Sequence, residues 1–262
     1  MKDVNGSRSY HRPGSLWVWG LSVSLLAGGC AKPGGGADSG KGWIKLFNGK
    51  NLEGWQYTGA PEKSAWQVAS KAMPDPATAN AAHQEFVITP GEGILVNGVE
   101  GRTCNIFTER THGDCEAHIE FMVPKGSNSG VYFMGLYEIQ VLDSFDTKDL
   151  TFQDCGGIYA RWVNEQNVDG HAPRLNASKA PGEWQSFDVV FKAPRFDAAG
   201  NMTENARFVK VVHNGQVIHE NVELKGPTRA ALPGPEKALG PLMLQGDHGP
   251  VAYRNVRIRP LK

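Results

Sequence analysis

From Trp43 onward, apolar and polar residues alternate along most of the chain, and no long stretch carries a 3.6-residue apolar period. A period of two sends successive side chains to opposite faces of a strand, so the pattern predicts a chain built largely of half-buried β-strands. WIKLF (43–47) opens the series, followed by GILVN (93–97), NIFTE (105–109) and CEAHIEFMVP (115–124). SGVYFMG (129–135) and YEIQVLD (137–143) predict a hairpin or bent pair around Gly135, and GIYARW (157–162) reads the same way. EWQSFDVVFKAP, ARFVKVVHNGQVIHENVEL and GPLMLQGDHGPVAYRNVRIRP complete the set.

The sharpest local signal is Asn214-Gly215 between two alternating runs. A two-residue type I′ turn needs positive φ at both central positions, which these residues tolerate, so a tight hairpin is predicted there. Many strands, Gly-rich turns and no helix-crossover rhythm point to an all-β, antiparallel sandwich of jelly-roll type, one domain spanning residues 42–262. Residues 69–92 and 163–182 interrupt the alternation and are expected as surface insertions, where ligand sites are often built.

Composition narrows the partners. Lys plus Arg and Asp plus Glu both total 27, giving a formal net charge of zero, without the basic footprint of a nucleic-acid binder. The first residues stand apart: Lys2, Arg8 and Arg12 precede an apolar run, LWVWGLSVSLLAGG, that ends at Cys30. This is the pattern of a secretory signal, short for a membrane span. Its end, LLAGGC, resembles a bacterial lipoprotein signal with Cys30 as the lipidated residue, although Ala27 rather than Leu26 stands three positions before the cysteine. The alternative is an ordinary secretory peptide cut nearby. Residues 31–41 form a Gly-rich tether. Either route places the domain in the bacterial cell envelope, lipid-anchored, or outside the cell. Cys104, Cys115 and Cys155 allow one disulfide at most, and their spacing fits no zinc pattern.

Four stretches carry a family resemblance: WIKLFNGKNLEGWQ, GDCEAHIEFMVPKGSNSGVYFMGLYEIQVLDS, NASKAPGEWQSFDVVFKAPRFD and GPLMLQGDHGPVAYRNVRIRPL. Together they resemble, in order and over nearly the whole chain after the tether, the 3-keto-disaccharide hydrolase domain family. The resemblance implies a concanavalin A-like β-sandwich of two antiparallel sheets, and action on glycosides whose sugar is first oxidised at C3.

Candidate chemistry centres on residues 127–145. Glu138 and Gln140 share a strand face, whereas Asp143 points to the other face unless a bulge brings it round. With such a bulge, Glu138 and Asp143 are the candidate carboxylates and Gln140 their orienting partner. A ketone at C3 acidifies the C2 proton, so a base and a proton donor can expel the C1 group by elimination, after which water adds back. A paired-carboxylate glycosidase is the competing enzymatic route. In LQGDHG, Asp247 is placed to orient His248 as a proton shuttle, with Gln245 beside them; the competing reading is a plain turn. Asn128, Tyr159 and Arg110 are further sugar-binding candidates. Acids near Asp143 or Asp169 would suit Ca²⁺, but no Ca²⁺-loop spacing is present, so neither metal nor cofactor is expected. The expected partner is an oligosaccharide or glycoside, with no nucleic acid, no protein partner, and a membrane only through the lipid anchor. A lectin-like module that binds sugar without chemistry is the alternative.

Overall fold

The computed structural model describes residues 42–262; the signal-like segment, Cys30 and the tether lie outside the described residues. The chain forms β1 (Ile44–Lys45), β2 (Trp55–Tyr57), β3 (Trp66–Pro74), β4 (Phe86–Asn97), β5 (Ile106–His112), β6 (Cys115–Met122), β7 (Asn128–Phe133) and β8 (Tyr137–Leu142). There follow β9 (Arg161–Val163), β10 (Gln166–Val168), β11 (Gln185–Lys192), β12 (Arg195–Phe196), β13 (Met202–Glu204), β14 (Ala206–His213), β15 (Gln216–Leu224), β16 (Gly240–Leu244) and β17 (Ala252–Pro260).

Two antiparallel sheets carry the fold. The larger runs β15-β14-β11-β6-β17-β4-β3, with β1 beside β17, and the smaller runs β2-β5-β16-β7-β8. Alternation decides which side of each strand is buried. On β6, Cys115, Ala117, Ile119 and Phe121 are buried while Glu116, His118 and Glu120 face outward. Phe187, Val189 and Phe191 repeat the pattern on β11. These residues share one core with Val131, Phe133, Ile139, Val141, Leu242 and Leu244 of the smaller sheet. Aromatic rings key the layers together: Phe121 lies 4.7 Å from Phe187, and Phe133 lies 5.2 Å from Phe191 between ring centroids. Each such ring stabilises the fold by about 1.5–3 kcal/mol through burial. The result is the expected β-sandwich of two antiparallel sheets.

Asn214 and Gly215 have φ of 49° and 80° and join β14 to β15 as the two-residue turn predicts. Residues 69–92 depart from expectation. They are mostly a continuation of the β3–β4 hairpin, with Ala72 opposite Ile88 and Pro74 opposite Phe86. Alternation fails there because the register shifts between Ala69 and Lys71, and because the extension packs Ala69, Ala72 and Phe86 in a small second cluster apart from the main core. Residues 163–182 stay loop-like apart from the short β9–β10 pair. Cys104, Cys115 and Cys155 are free thiols.

Candidate active site

The site grows from the β7–β8 pair. Its register is unbroken, with Tyr132 opposite Glu138, Gly130 opposite Gln140 and Asn128 opposite Leu142. Since Val131, Phe133, Ile139 and Val141 enter the core, alternation turns Asn128, Gly130, Tyr132, Glu138 and Gln140 to the opposite face. A cavity of about 390 Å³ opens on that face. Asn128, Tyr132, Glu138 and Gln140 line it from the two strands, and Gln245 and His248 from the stretch after β16. Tyr159, Arg229 and Ala230 complete the wall.

Each wall segment is fixed locally. An open strand edge is a template for pairing, and residues 156–159 seal that of β8. The Gln140 N–H donates to the Gly157 carbonyl at 2.8 Å, the Gly156 N–H to the Gln140 carbonyl at 2.8 Å, and the Tyr159 N–H to the Glu138 carbonyl at 3.1 Å. The His248 loop is held from below. Asn97 donates through Nδ2 to the Gly246 and Gly249 carbonyls at 2.7 and 3.1 Å. A Cβ at Gly246 would lie 2.2 Å from the Cys104 carbonyl oxygen, and one at Gly249 would lie 2.5 Å from Ser127 Oγ. Those two glycines therefore serve close packing of the loop and leave Asp247 and His248 at its exposed tip.

Glu138 is 2% exposed, and burial pushes its carboxyl up to about 8, aided by the charge of Asp247 and opposed by a hydrogen bond from Tyr132. Glu138 is therefore a neutral acid at pH 7 and can donate a proton. Gly130 makes room for it, since a Cβ there would sit 2.2 Å from Glu138 Oε1. His248 Nδ1 lies 2.6 Å from Asp247 Oδ1, and this hydrogen bond raises the imidazole above its ordinary value. A third element is unsatisfied hydrogen bonding: Asn128 Oδ1, Gln140 Oε1 and Gln245 Oε1 are buried acceptors with no donor. A buried polar group left so costs about 1–3 kcal/mol, and three such oxygens around one cavity suit the hydroxyl donors of a ligand.

Thus Glu138, Gln140, Asn128, Tyr159, Gln245 and His248 are brought together, with Asp247 behind His248. Asp143 and Arg110 are not. No bulge interrupts β8, so Asp143 keeps the opposite parity, and its Oδ2 accepts from the Gly126 N–H at 2.9 Å. Arg110 is exposed on β5 and lines no part of the cavity. Asp169 is bound to Arg161 at 3.0 Å and to Lys225 at 3.2 Å, so two cations already occupy the carboxylate considered for Ca²⁺. Among the described residues, no three His, Cys, Asp or Glu side chains gather as a metal site would require. Trp55 lies in the core, and its indole N–H donates to the Leu46 carbonyl at 2.9 Å.

Sequence reasoning missed Tyr132, Arg229 and Ala230. Tyr132 was readable as the residue across the Gly135 turn from Glu138. The other two had no signal, because residues 225–239 reach the site only by packing over the β7–β8 turn. Thr228 bridges there, donating through Oγ1 to the Leu136 carbonyl at 3.0 Å and accepting from the Glu138 N–H at 3.2 Å.

A two-sheet sandwich with a polar, partly enclosed cleft beside one sheet defines a class of carbohydrate-active proteins, and the comparisons agree. Residues 42–259 match the family described as the 3-keto-alpha-glucoside-1,2-lyase-like domain, and the chain belongs to it. A candidate glycosyl hydrolase from Parabacteroides distasonis ATCC 8503, solved at 2.13 Å, is 28% identical over 84% of each chain with a TM-score of 0.59. A second candidate glycosyl hydrolase from that organism, at 2.00 Å, is 22% identical over 84% of this chain and 99% of its own, with a TM-score of 0.52. The second likeness bears on the fold alone. No curated protein matches the sequence.

Proposed function

We propose that the protein cleaves glycosides bearing a ketone at C3, by elimination followed by hydration. The observation that carries this reading is Glu138, the single carboxyl lining the cavity, raised to about 8 by its burial and sharing that cavity with an imidazole that a carboxylate orients. With Asp143 tied to Gly126, a two-carboxylate hydrolysis lacks its second member at the cavity wall.

The steps balance within this set. His248 Nε2 takes the C2 proton, and the C–H electron pair moves into the C2–C3 bond as the C3 oxygen becomes an enolate. When the ketone re-forms, a C1–C2 double bond is made and the C1–O bond breaks, the leaving oxygen taking the Glu138 proton. In the hydration, Glu138 removes a proton from water as its oxygen bonds C1, and the imidazolium returns a proton to C2. Both groups end as they began. Asn128, Gln140 and Gln245 accept hydrogen bonds from ring hydroxyls, and no step calls on a metal. The same proposal places the domain at the cell envelope, tethered through Cys30.

The test is turnover of methyl 3-keto-glucoside, with and without deuterium at C2. Release of 3-keto-glucose with a primary isotope effect, and a loss of 10²–10⁴-fold in kcat in Glu138→Gln, are expected. Tight binding without cleavage between pH 5 and 9 would reject the enzyme in favour of a lectin-like module.

A further inference from the structure

One wall of the cavity is unaccounted for by that chemistry. Arg229 lines it, and its guanidinium carbon lies 4.1 Å from the centre of the Trp162 ring. Among the described residues Arg229 has no carboxylate partner, although Arg161, Arg174, Arg195, Arg207, Arg254 and Arg259 each have one. Trp162 is 47% exposed, an unusual fate for a large ring. An unpaired guanidinium stacked on an open indole presents a flat cationic face and an adjoining π surface, which together attract another flat ring.

Several bonds brace the arrangement. Trp162 sits on the β9–β10 hairpin and Arg229 on the 225–239 connection, and Asp169 ties the two by binding both Arg161 and Lys225. The Arg229 N–H donates to the Ala160 carbonyl at 2.8 Å. Ala230 holds φ at 63°, a left-handed conformation that a non-glycine residue adopts only under constraint. Tyr159, in the same wall, stands edge-on to Phe152 with centroids 5.3 Å apart. Arg229 and Tyr159 thus line the cavity whose buried side holds Glu138 and the unpaired amide oxygens, and the Trp162 ring, itself outside the lining, stacks on the Arg229 guanidinium.

We propose that Arg229 and Trp162 form the leaving-group subsite, and that it takes an aromatic ring; this rests on the reading of the cavity as a 3-keto-glycoside site. The sugar ring occupies the buried polar end, and the group on C1 projects to the exposed wall. The substrates favoured are then 3-keto-glycosides of aryl or arylmethyl alcohols over those of saturated alcohols.

Benzyl and cyclohexylmethyl 3-keto-glucosides separate ring stacking from leaving-group acidity, because their alcohols are of similar acidity and size. The unaltered full chain should show about tenfold higher kcat/KM for the benzyl compound, the scale of one aromatic contact, with the difference in KM. Trp162→Ala and Arg229→Leu should each bring the ratio of the two substrates toward one, and Arg229→Lys should leave an intermediate ratio. Equal kcat/KM in the unaltered chain, or a benzyl preference that survives both substitutions, would overturn the subsite. Methyl 3-keto-glucoside, which lacks a group to stack, distinguishes the two failures: if it is cleaved, the subsite alone is wrong, and if it is not, the 3-keto-glycoside reading falls and the subsite with it.

Discussion

Asp247 acts on two proton carriers at once. Its hydrogen bond raises His248, and its charge adds to burial in raising Glu138. In the proposed elimination the productive state has His248 neutral and Glu138 protonated, so the rate should fall on the acid side as His248 gains its proton and on the alkaline side, near pH 8, as Glu138 loses its own. Asp247→Asn removes both effects. The expected result is a pH–rate bell whose two limbs both move to lower pH, measured as kcat/KM for methyl 3-keto-glucoside between pH 5 and 10. An acid limb that stays in place would mean that His248 is not the base. The proposed roles were partly legible in residue types alone. Glu138 and Gln140, two apart in an otherwise apolar run, had to share a face of any strand, and Asp247 beside His248 suggested an oriented imidazole. What residue type could not supply was protonation state, because burial of Glu138 depends on residues distant in sequence.

At the scale of elements, the Asn214-Gly215 turn shows local chemistry fixing a larger arrangement. Asn214 Oδ1 accepts from the Ser186 N–H at 2.9 Å, and its Nδ2 donates to the Ala177 carbonyl at 2.8 Å. It therefore joins the β14–β15 hairpin to β11 and to the loop before it, besides supplying a positive φ. Asn214→Ala loses these bonds and strains the turn, and should cost about 2–3 kcal/mol in urea unfolding, with kcat/KM preserved in the folded fraction. Such a turn is legible because its requirement is contained within two residues. The β3–β4 extension and the 225–239 connection were not, since the first carries a register shift and packs in a small cluster of its own, and the second rests on a surface made by β7 and β8. Asp143 illustrates the same limit. Only a bulge could have brought it to the site, and a regular register leaves no trace in side-chain identity that distinguishes it from a bulged one.

The whole molecule should be most stable close to pH 6.5. Burial lowers His112, His213 and His219 from 6.5 to about 4. Between those values the unfolded chain binds three protons that the native chain does not, so stability falls as pH drops, by about 1.4 kcal/mol per unit for each group. Glu138 works in the opposite sense: from 4.5 to about 8 the native state keeps a proton that the unfolded state has lost, and stability declines as pH rises. Below 6.5 the three histidines outweigh Glu138; above it Glu138 acts with His118 and His248, both raised by their carboxylate partners. Thermal melts from pH 4.5 to 9 should trace a maximum near 6.5, and Glu138→Gln should flatten the alkaline side. The unpaired thiols have a practical consequence for anyone who wishes to watch the protein at work. Burial pushes Cys115 and Cys155 up to about 12, so both resist alkylation, whereas Cys104 is partly exposed. The Cys104 carbonyl accepts the Trp66 indole N–H at 2.7 Å, against the glycine that begins the Asp247–His248 tip. A maleimide dye should therefore label Cys104 first among the described residues, without reductant or denaturant, and report optically on the neighbouring Asp247–His248 loop as candidate ligands are added.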